Sequence, residues 1–196
     1  MSKLKVLGLS FQYSGCHYHR VTLPLSHMEN IEGLVTDNPV DETLFKDWDI
    51  VTFNRLTPCQ DKFPEVAKKS KLVMDLDDDW ILPPSHLNYE NYQRNRIHIE
   101  KNIQVSHMVT CTNERIAEKI YPLNKNVHVL PNALPYGLDQ FSDLKQEDEK
   151  IRIFWAGGIS HIKDIDILRY PLQRLHNFKD RIKMVRSEEH TSELQS

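Results

Sequence analysis

Between Leu72 and Trp80 the chain reads Leu-Val-Met-Asp-Leu-Asp-Asp-Asp-Trp, which sets four carboxylates at the end of an apolar run. Carboxylates at the end of a strand either hold a divalent cation or accept hydrogen bonds from a ligand. They also repel one another, so burying them calls for a raised pKa or a bound cation. Asp75, Asp77 and Asp78 are read first as lining the acceptor side of an interdomain cleft, and second as a solvated loop.

A second group with chemical potential is Gln12-Tyr-Ser-Gly-Cys-His-Tyr-His-Arg20. Gly15 lets a backbone approach a ligand closely, Arg20 offers a two-pronged grip on phosphate, and His17 or His19 can donate hydrogen bonds. Cys16, His17 and His19 have no further ligand nearby at metal-site spacing, so no metal is expected. The loop is not a Gly-x-Gly-x-x-Gly fingerprint, which speaks against a nicotinamide cofactor.

Two further motifs follow strands. In Val127-His-Val-Leu-Pro-Asn132 the proline stiffens the exit and Asn132 is expected to act structurally, bonding nearby backbone. In Phe154-Trp-Ala-Gly157-Gly158-Ile-Ser-His161-Ile-Lys163-Asp164 adjacent glycines expose backbone N–H groups to an anion, and the dipole of the following helix favours negative charge. A plain glycine turn between strand and helix explains the same residues.

The elements that must carry these groups alternate. Strands are expected at Lys5–Leu9, Asp49–Phe53, Lys71–Leu76, His107–Cys111 and Val127–Leu130, each nearly continuously apolar, as in a sheet covered on both faces. Helices are expected at Tyr18–Glu29, Asp61–Lys69, Asn88–Val105 and Thr112–Ile120, the last with a polar cap. Right-handed crossovers then give a doubly wound α/β domain over 1–135. Residues 136–149 are charged and broken by Gly137, a linker pattern. A second α/β domain opens at 150–185, with a strand at its start, a helix over Asp164–His176 and another strand from Arg181.

Composition narrows the function. A net charge of −3 gives no electrostatic pull towards nucleic acid or anionic membrane. Three scattered cysteines fit a reducing compartment rather than a disulfide framework. No apolar run spans a bilayer and no signal peptide is evident, so a soluble cytoplasmic protein is expected, with peripheral membrane contact left open.

The last eleven residues, Arg186-Ser-Glu-Glu-His-Thr-Ser-Glu-Leu-Gln-Ser196, match the in-frame translation of a common sequencing-adapter oligonucleotide. They are set aside as an artefactual tail.

Taken in order, these segments resemble the family four retaining glycosyltransferases of the GT-B fold. The residues that carry it are Gly15, Tyr18-His19-Arg20, Pro24, Val73–Asp78, Ser106–Thr112, Val129–Asn132 and Ala156-Gly-Gly-x-x-His161-x-x-Asp164. The resemblance covers 1–185 and implies transfer of a sugar from a nucleotide-sugar donor to a glycan, lipid-linked or other acceptor, without a metal. It implies an acceptor side at Tyr18, Asp75 and Asp78, and catalytic roles for His19, Arg20 and Asp77. Gly15, Gly157, Gly158 and His161 would face the donor phosphates. The Glu-(seven residues)-Glu motif of that family does not occur within 1–185, so the chain as written is expected to be a truncated and inactive form. A non-catalytic α/β binding or scaffold domain remains the alternative. An Asp-x-Asp phosphatase of the haloacid-dehalogenase type comes third, because Asp78-Asp79 stand where Gly-Thr is usual. The Asp-x-Asp metal clamp of single-domain glycosyltransferases sits in a different layout.

Overall fold

The computed structural model describes residues 3–10, 15–37, 39–138, 149–156 and 166–187. It divides into two compact units, Met1–Pro135 and Tyr136–Ser196. Among the described residues no helix is long and apolar enough to cross a membrane.

The first unit holds six parallel strands: β1 (Leu4–Leu9), β2 (Ile31–Thr36), β3 (Ile50–Asn54), β4 (Lys71–Leu76), β5 (Met108–Cys111) and β6 (Val127–Val129). They lie in the order β2-β1-β3-β4-β5-β6. This is a Rossmann-like α/β sheet. The chain steps outward from β1 to β2, then returns to β1's other side as β3. Between β1 and β3 the winding reverses, and open α/β sheets take ligands beyond the carboxyl ends of their strands at that point.

Strand alternation gives the two faces different jobs. Leu7 and Leu9, Val51 and Phe53, Leu72, Met74 and Leu76, and Val109 and Cys111 form one buried cluster with Phe63, Val66, Ile99, Ile103, Ile116 and Ile120. Those last six come from α4 (Phe63–Lys69), α5 (Tyr89–Val105) and α6 (Glu114–Ile120). Asn113 caps α6, its side chain accepting from the Ile116 amide at 3.2 Å.

The opposite face is met by the segment after β1. There α1 (Gly15–His17) runs into a π-helical turn, Tyr18–Thr22, and then α2 (Leu23–Ser26). Pro24 explains the wide turn. It has no N–H for the Arg20 carbonyl, and its ring crowds that carbonyl, so the helix opens to an i→i+5 bond from the Leu23 amide to Tyr18 O. Gly8 lets this segment close on β1, since a Cβ there would lie 2.6 Å from Leu25 Cδ1 and 3.0 Å from Val21 Cγ1.

Two elements of this unit go beyond the expected series: β2 and the short α3 (Asp41–Leu44). The β2 strand is an edge, largely exposed, and its Ile-Glu-Gly-Leu-Val-Thr carries no continuous apolar run. The helix expected at Tyr18–Glu29 starts earlier, at Gly15, and ends at Ser26.

The second unit contains β7 (Ile151–Ala156) and β8 (Ile182–Ser187), paired in parallel, with α7 (Arg169–Leu175) between them. The helix is shorter than the expected span. Backbone pairing continues through Trp155–Arg186 and Ala156–Ser187, two residues into the stretch set aside as a tail. Such a ladder is blind to side-chain identity.

Candidate functional site

Three polar residues stand side by side at the carboxyl edge of the second face. Register pairs Asn54 of β3 with Asp75 of β4, and Asp75 with Thr110 of β5. Asn54 Nδ2 donates to Asp75 Oδ1 at 3.2 Å, and Thr110 Oγ1 donates to Asp75 Oδ2 at 2.6 Å. Arg20, carried by the π-helical turn, closes the row from above. Its Nε and Nη2 donate to Asp75 Oδ1 and Oδ2 at 2.9 and 2.7 Å, and Nη1 donates to Leu130 O at 2.9 Å and to Asn132 Oδ1 at 3.1 Å.

This arrangement corrects two expectations. The side chains of Arg20 and Asp75 are each 5% exposed. Arg20 therefore does not present an open fork to a phosphate; Asp75 occupies it. Nor does Asp75 line a cleft surface, because both its oxygens are used inside the fold. Asn132 acts structurally, as anticipated, but through its side chain on Arg20.

The crowding of carboxylates is also resolved differently from the raised pKa or bound cation expected. A second arginine, Arg55, does it. Its Nε lies 3.5 Å from Asp77 Oδ1, and its Nη1 donates to Asp78 Oδ2 at 3.3 Å and to the Tyr92 hydroxyl. Asn54 Nδ2 donates to Asp77 Oδ1 at 3.0 Å. Burial alone would raise the Asp77 pKa; Arg55, with hydrogen bonds from Cys16 and Asn54, outweighs it and holds the carboxyl below its ordinary value. Burial would likewise lower the Arg55 pKa, and Asp77, Tyr92 and Asp78 reverse that.

Arg55 reaches this position through an uncommon backbone. Its φ of 49° lies in the left-handed region, the one such non-glycine among the described residues. The turn is held at both ends: the Arg55 amide donates to Asp75 O at 3.0 Å, and buried Asn102 donates to Arg55 O at 3.0 Å. Beyond it, Asp79 pairs with Lys119, and Trp80 is buried, which anchors the loop that carries the aspartates.

The histidine-cysteine loop folds onto the same edge. Cys16 donates its thiol hydrogen to Asp77, and burial with that bond pushes its pKa up to about 12. It is a neutral thiol rather than a nucleophile. His17 is buried; burial and the nearby Arg55 charge lower its pKa, so it is neutral. Tyr18 is exposed, its ring edge-on to His19 with centroids 5.1 Å apart. Apart from its chain neighbours and the backbone of its own helix, nothing lies within 4 Å of a Cβ built on Gly15, so packing among the described residues sets no steric demand for glycine there.

Cys16, Asp77 and Asp78 offer ligand atoms within 4.8 Å of one another, close enough to hold a cation. The positive charge among them is already the Arg55 guanidinium, and the thiol keeps its proton. Gly157, Gly158, His161 and Lys163 lie outside the described residues.

No family model matches this chain. Nor does any curated protein match it.

Asp75, Asp77, Asp78, Tyr18, His19 and Arg20, the site residues expected from sequence, all come from segments that converge on this edge. Asn54, Arg55, Tyr92 and Thr110 join them, none of them expected from sequence as a site residue. Asn54 and Arg55 had a usable signal, a polar pair at the carboxyl end of an apolar strand in a parallel sheet. Tyr92 had none. The residues brought together can donate and accept hydrogen bonds at an outer rim of Asp78, Arg55 and Tyr92. Behind that rim stands a rigid, charge-paired floor.

Proposed function

We propose that Met1–Pro135 is the acceptor-binding, Rossmann-like unit of a nucleotide-sugar-dependent glycosyltransferase of the GT-B type. The observation that carries this reading is the outer rim itself. Asp78, Arg55 and Tyr92 meet beyond the carboxyl ends of β3 and β4, beside the reversal of winding between β1 and β3. A carboxylate, a guanidinium and a phenol on a fixed backbone suit the alternating donors and acceptors of sugar hydroxyl groups. In this reading Arg20 is a positioning residue, and Asp77 fixes Arg55. His19 keeps its proposed catalytic place. The donor phosphates are assigned to the glycine motif of Gly157, Gly158 and His161, which lies outside the described residues.

A phosphatase reading fits the geometry less well. The nucleophile it needs is Asp75, both of whose oxygens are occupied by Arg20, Asn54 and Thr110.

The reading is tested on the 196-residue chain, isotopically labelled, by following amide shifts during titration with oligosaccharides and with sugar nucleotides. Saturable shifts at Asn54–Arg55 and Asp77–Asp79 with a carbohydrate are expected. Their absence with every carbohydrate and sugar nucleotide at millimolar concentration overturns the reading.

A further inference from the structure

A guanidinium has no lone pair, so in the contact between Arg55 Nη1 and Tyr92 the phenol oxygen can only accept. The phenol hydrogen therefore points away from Arg55, and no described residue accepts it. Burial, aided by Asp78 and Asp77, raises the Tyr92 pKa in spite of Arg55, so that hydrogen stays on its oxygen at ordinary pH. A hydroxyl that accepts from a cation is polarised by it and donates more strongly in turn.

Arg55 has donors of its own left over. Its Nε donates to Asn54 Oδ1 at 3.3 Å, and its Nη1 serves Asp78 and Tyr92. Its Nη2 makes no hydrogen bond to a described residue, and the atom is not buried from solvent. The side chain as a whole is 20% exposed. Nor can these donors drift, because the Arg55 backbone is tied to Asp75 O and to the buried Asn102 side chain. Donors fixed before a ligand arrives lose little freedom when it binds.

Resting on the acceptor reading above, we infer that Tyr92 and the Nη2 of Arg55 hold a sugar by donating to its hydroxyl oxygens, with Tyr92 selecting the hydroxyl it meets. At that contact the sugar hydroxyl accepts, and its own hydrogen is not needed. A sugar lacking oxygen there is disfavoured, because closing on it leaves the phenol hydrogen without an acceptor. Tyr92 is a specificity residue here, not a catalytic one.

The test uses the full 196-residue chain and the methyl glycosides of glucose, galactose and mannose, followed by calorimetry and ligand-observed NMR. The tightest of the three is then replaced by its monodeoxy and monodeoxyfluoro analogues. Fluorine accepts a hydrogen bond weakly and donates none, whereas hydrogen in its place does neither. At one ring position deoxygenation is expected to weaken binding about three- to tenfold, and fluorine to recover part of the loss. In Tyr92→Phe, with far-ultraviolet dichroism unchanged, the parent glycoside weakens by the same factor and deoxygenation at that position adds nothing. The analogue series on the parent chain decides the matter even if that variant does not fold. Equal losses for deoxy and deoxyfluoro analogues at every position overturn the inference and leave the acceptor reading standing. So does a Tyr92→Phe variant that keeps every deoxygenation penalty. Binding of none of the three glycosides overturns the inference, and binding of no carbohydrate or sugar nucleotide at all overturns the acceptor reading with it.

Discussion

Arg20 and Asp75 are 55 residues apart in sequence and meet through two parallel hydrogen bonds of 2.9 and 2.7 Å. Each side chain is only 5% exposed, and each is the other's nearest charge compensation. Removing one partner leaves an uncompensated buried charge, which costs about 3–5 kcal/mol. Arg20→Ala and Asp75→Leu are each expected to lose that much stability in urea unfolding. The double variant loses less than the sum of the two. Additive losses would show that the pair is not a unit. Arg20→Lys recovers little, because a point ammonium cannot reproduce the fork.

Arg55 separates backbone from side chain. Its φ of 49° disfavours any residue with a Cβ, by roughly 1–2 kcal/mol. Both Arg55→Ala and Arg55→Gly lose the contacts to Asp77, Asp78 and Tyr92, but only the glycine relieves the backbone. Arg55→Gly is therefore expected to be the more stable of the two in chemical denaturation, despite its greater chain entropy when unfolded. The reverse order would mean that the turn is not strained.

Cys16 is expected to resist alkylation. A pKa near 12 in place of 9.0 leaves very little thiolate at neutral pH. Iodoacetamide should modify it roughly two to three orders of magnitude more slowly than an ordinary thiol, as read by mass spectrometry of its peptide. Asp77→Asn weakens the shift and speeds the reaction. Labelling of the parent chain at an ordinary rate would contradict the burial and the bond to Asp77.

Two histidines give stability a pH dependence of definite sign. Burial lowers the pKa of His17 and of His107 below 6.5, helped by Arg55 in the first case and Lys71 in the second. A histidine kept neutral in the fold adds stability that is fully present above its unfolded pKa and lost as pH falls through its folded one. The melting temperature is expected to be level above about pH 7 and to decline from about 6.5 downward. His107 Nδ1 accepts from the Leu72 amide at 3.1 Å. His107→Asn keeps an acceptor near that place and should remove part of the decline. A midpoint that rises on acidification would overturn the assignment.

Divalent cations offer a direct check on Arg55's role as the counter-charge. Magnesium, manganese or zinc should leave the thermal midpoint of the parent chain unchanged, because the guanidinium already sits between Asp77 and Asp78. In Arg55→Ala the same carboxylates are released, and a cation-dependent rise in midpoint is expected. A rise in the parent chain as well would point to a metal site that the arginine does not block.

How far the sequence foretold this fold depends on burial. Lys71–Leu76 matches its expected span because a central strand covered on both faces is apolar for most of its length, here Leu72–Met74 and Leu76, with Asp75 as the paired exception. Ile31–Thr36 escaped because an edge strand carries no such demand. At the site, the aspartates were legible as residues but not as partners. Nothing local to Asp75 announces that Arg20 will reach it, since that meeting depends on Pro24 opening the helix and Gly8 admitting it to the sheet. Tertiary approach decided which carboxylate is floor and which is rim.

The three-way grip of Arg20 has a kinetic side. Its partners lie 55, 110 and 112 residues further along the chain, at Asp75, Leu130 and Asn132. During synthesis the guanidinium can find its carboxylate long before the end of β6 emerges, yet its last two bonds must wait for Asn132. Doubling a loop of this size adds only about 0.6 kcal/mol of closure entropy, so the delay is one of time more than of energy. The candidate site is thus a late-maturing corner of the domain, finished only when the sixth strand has docked.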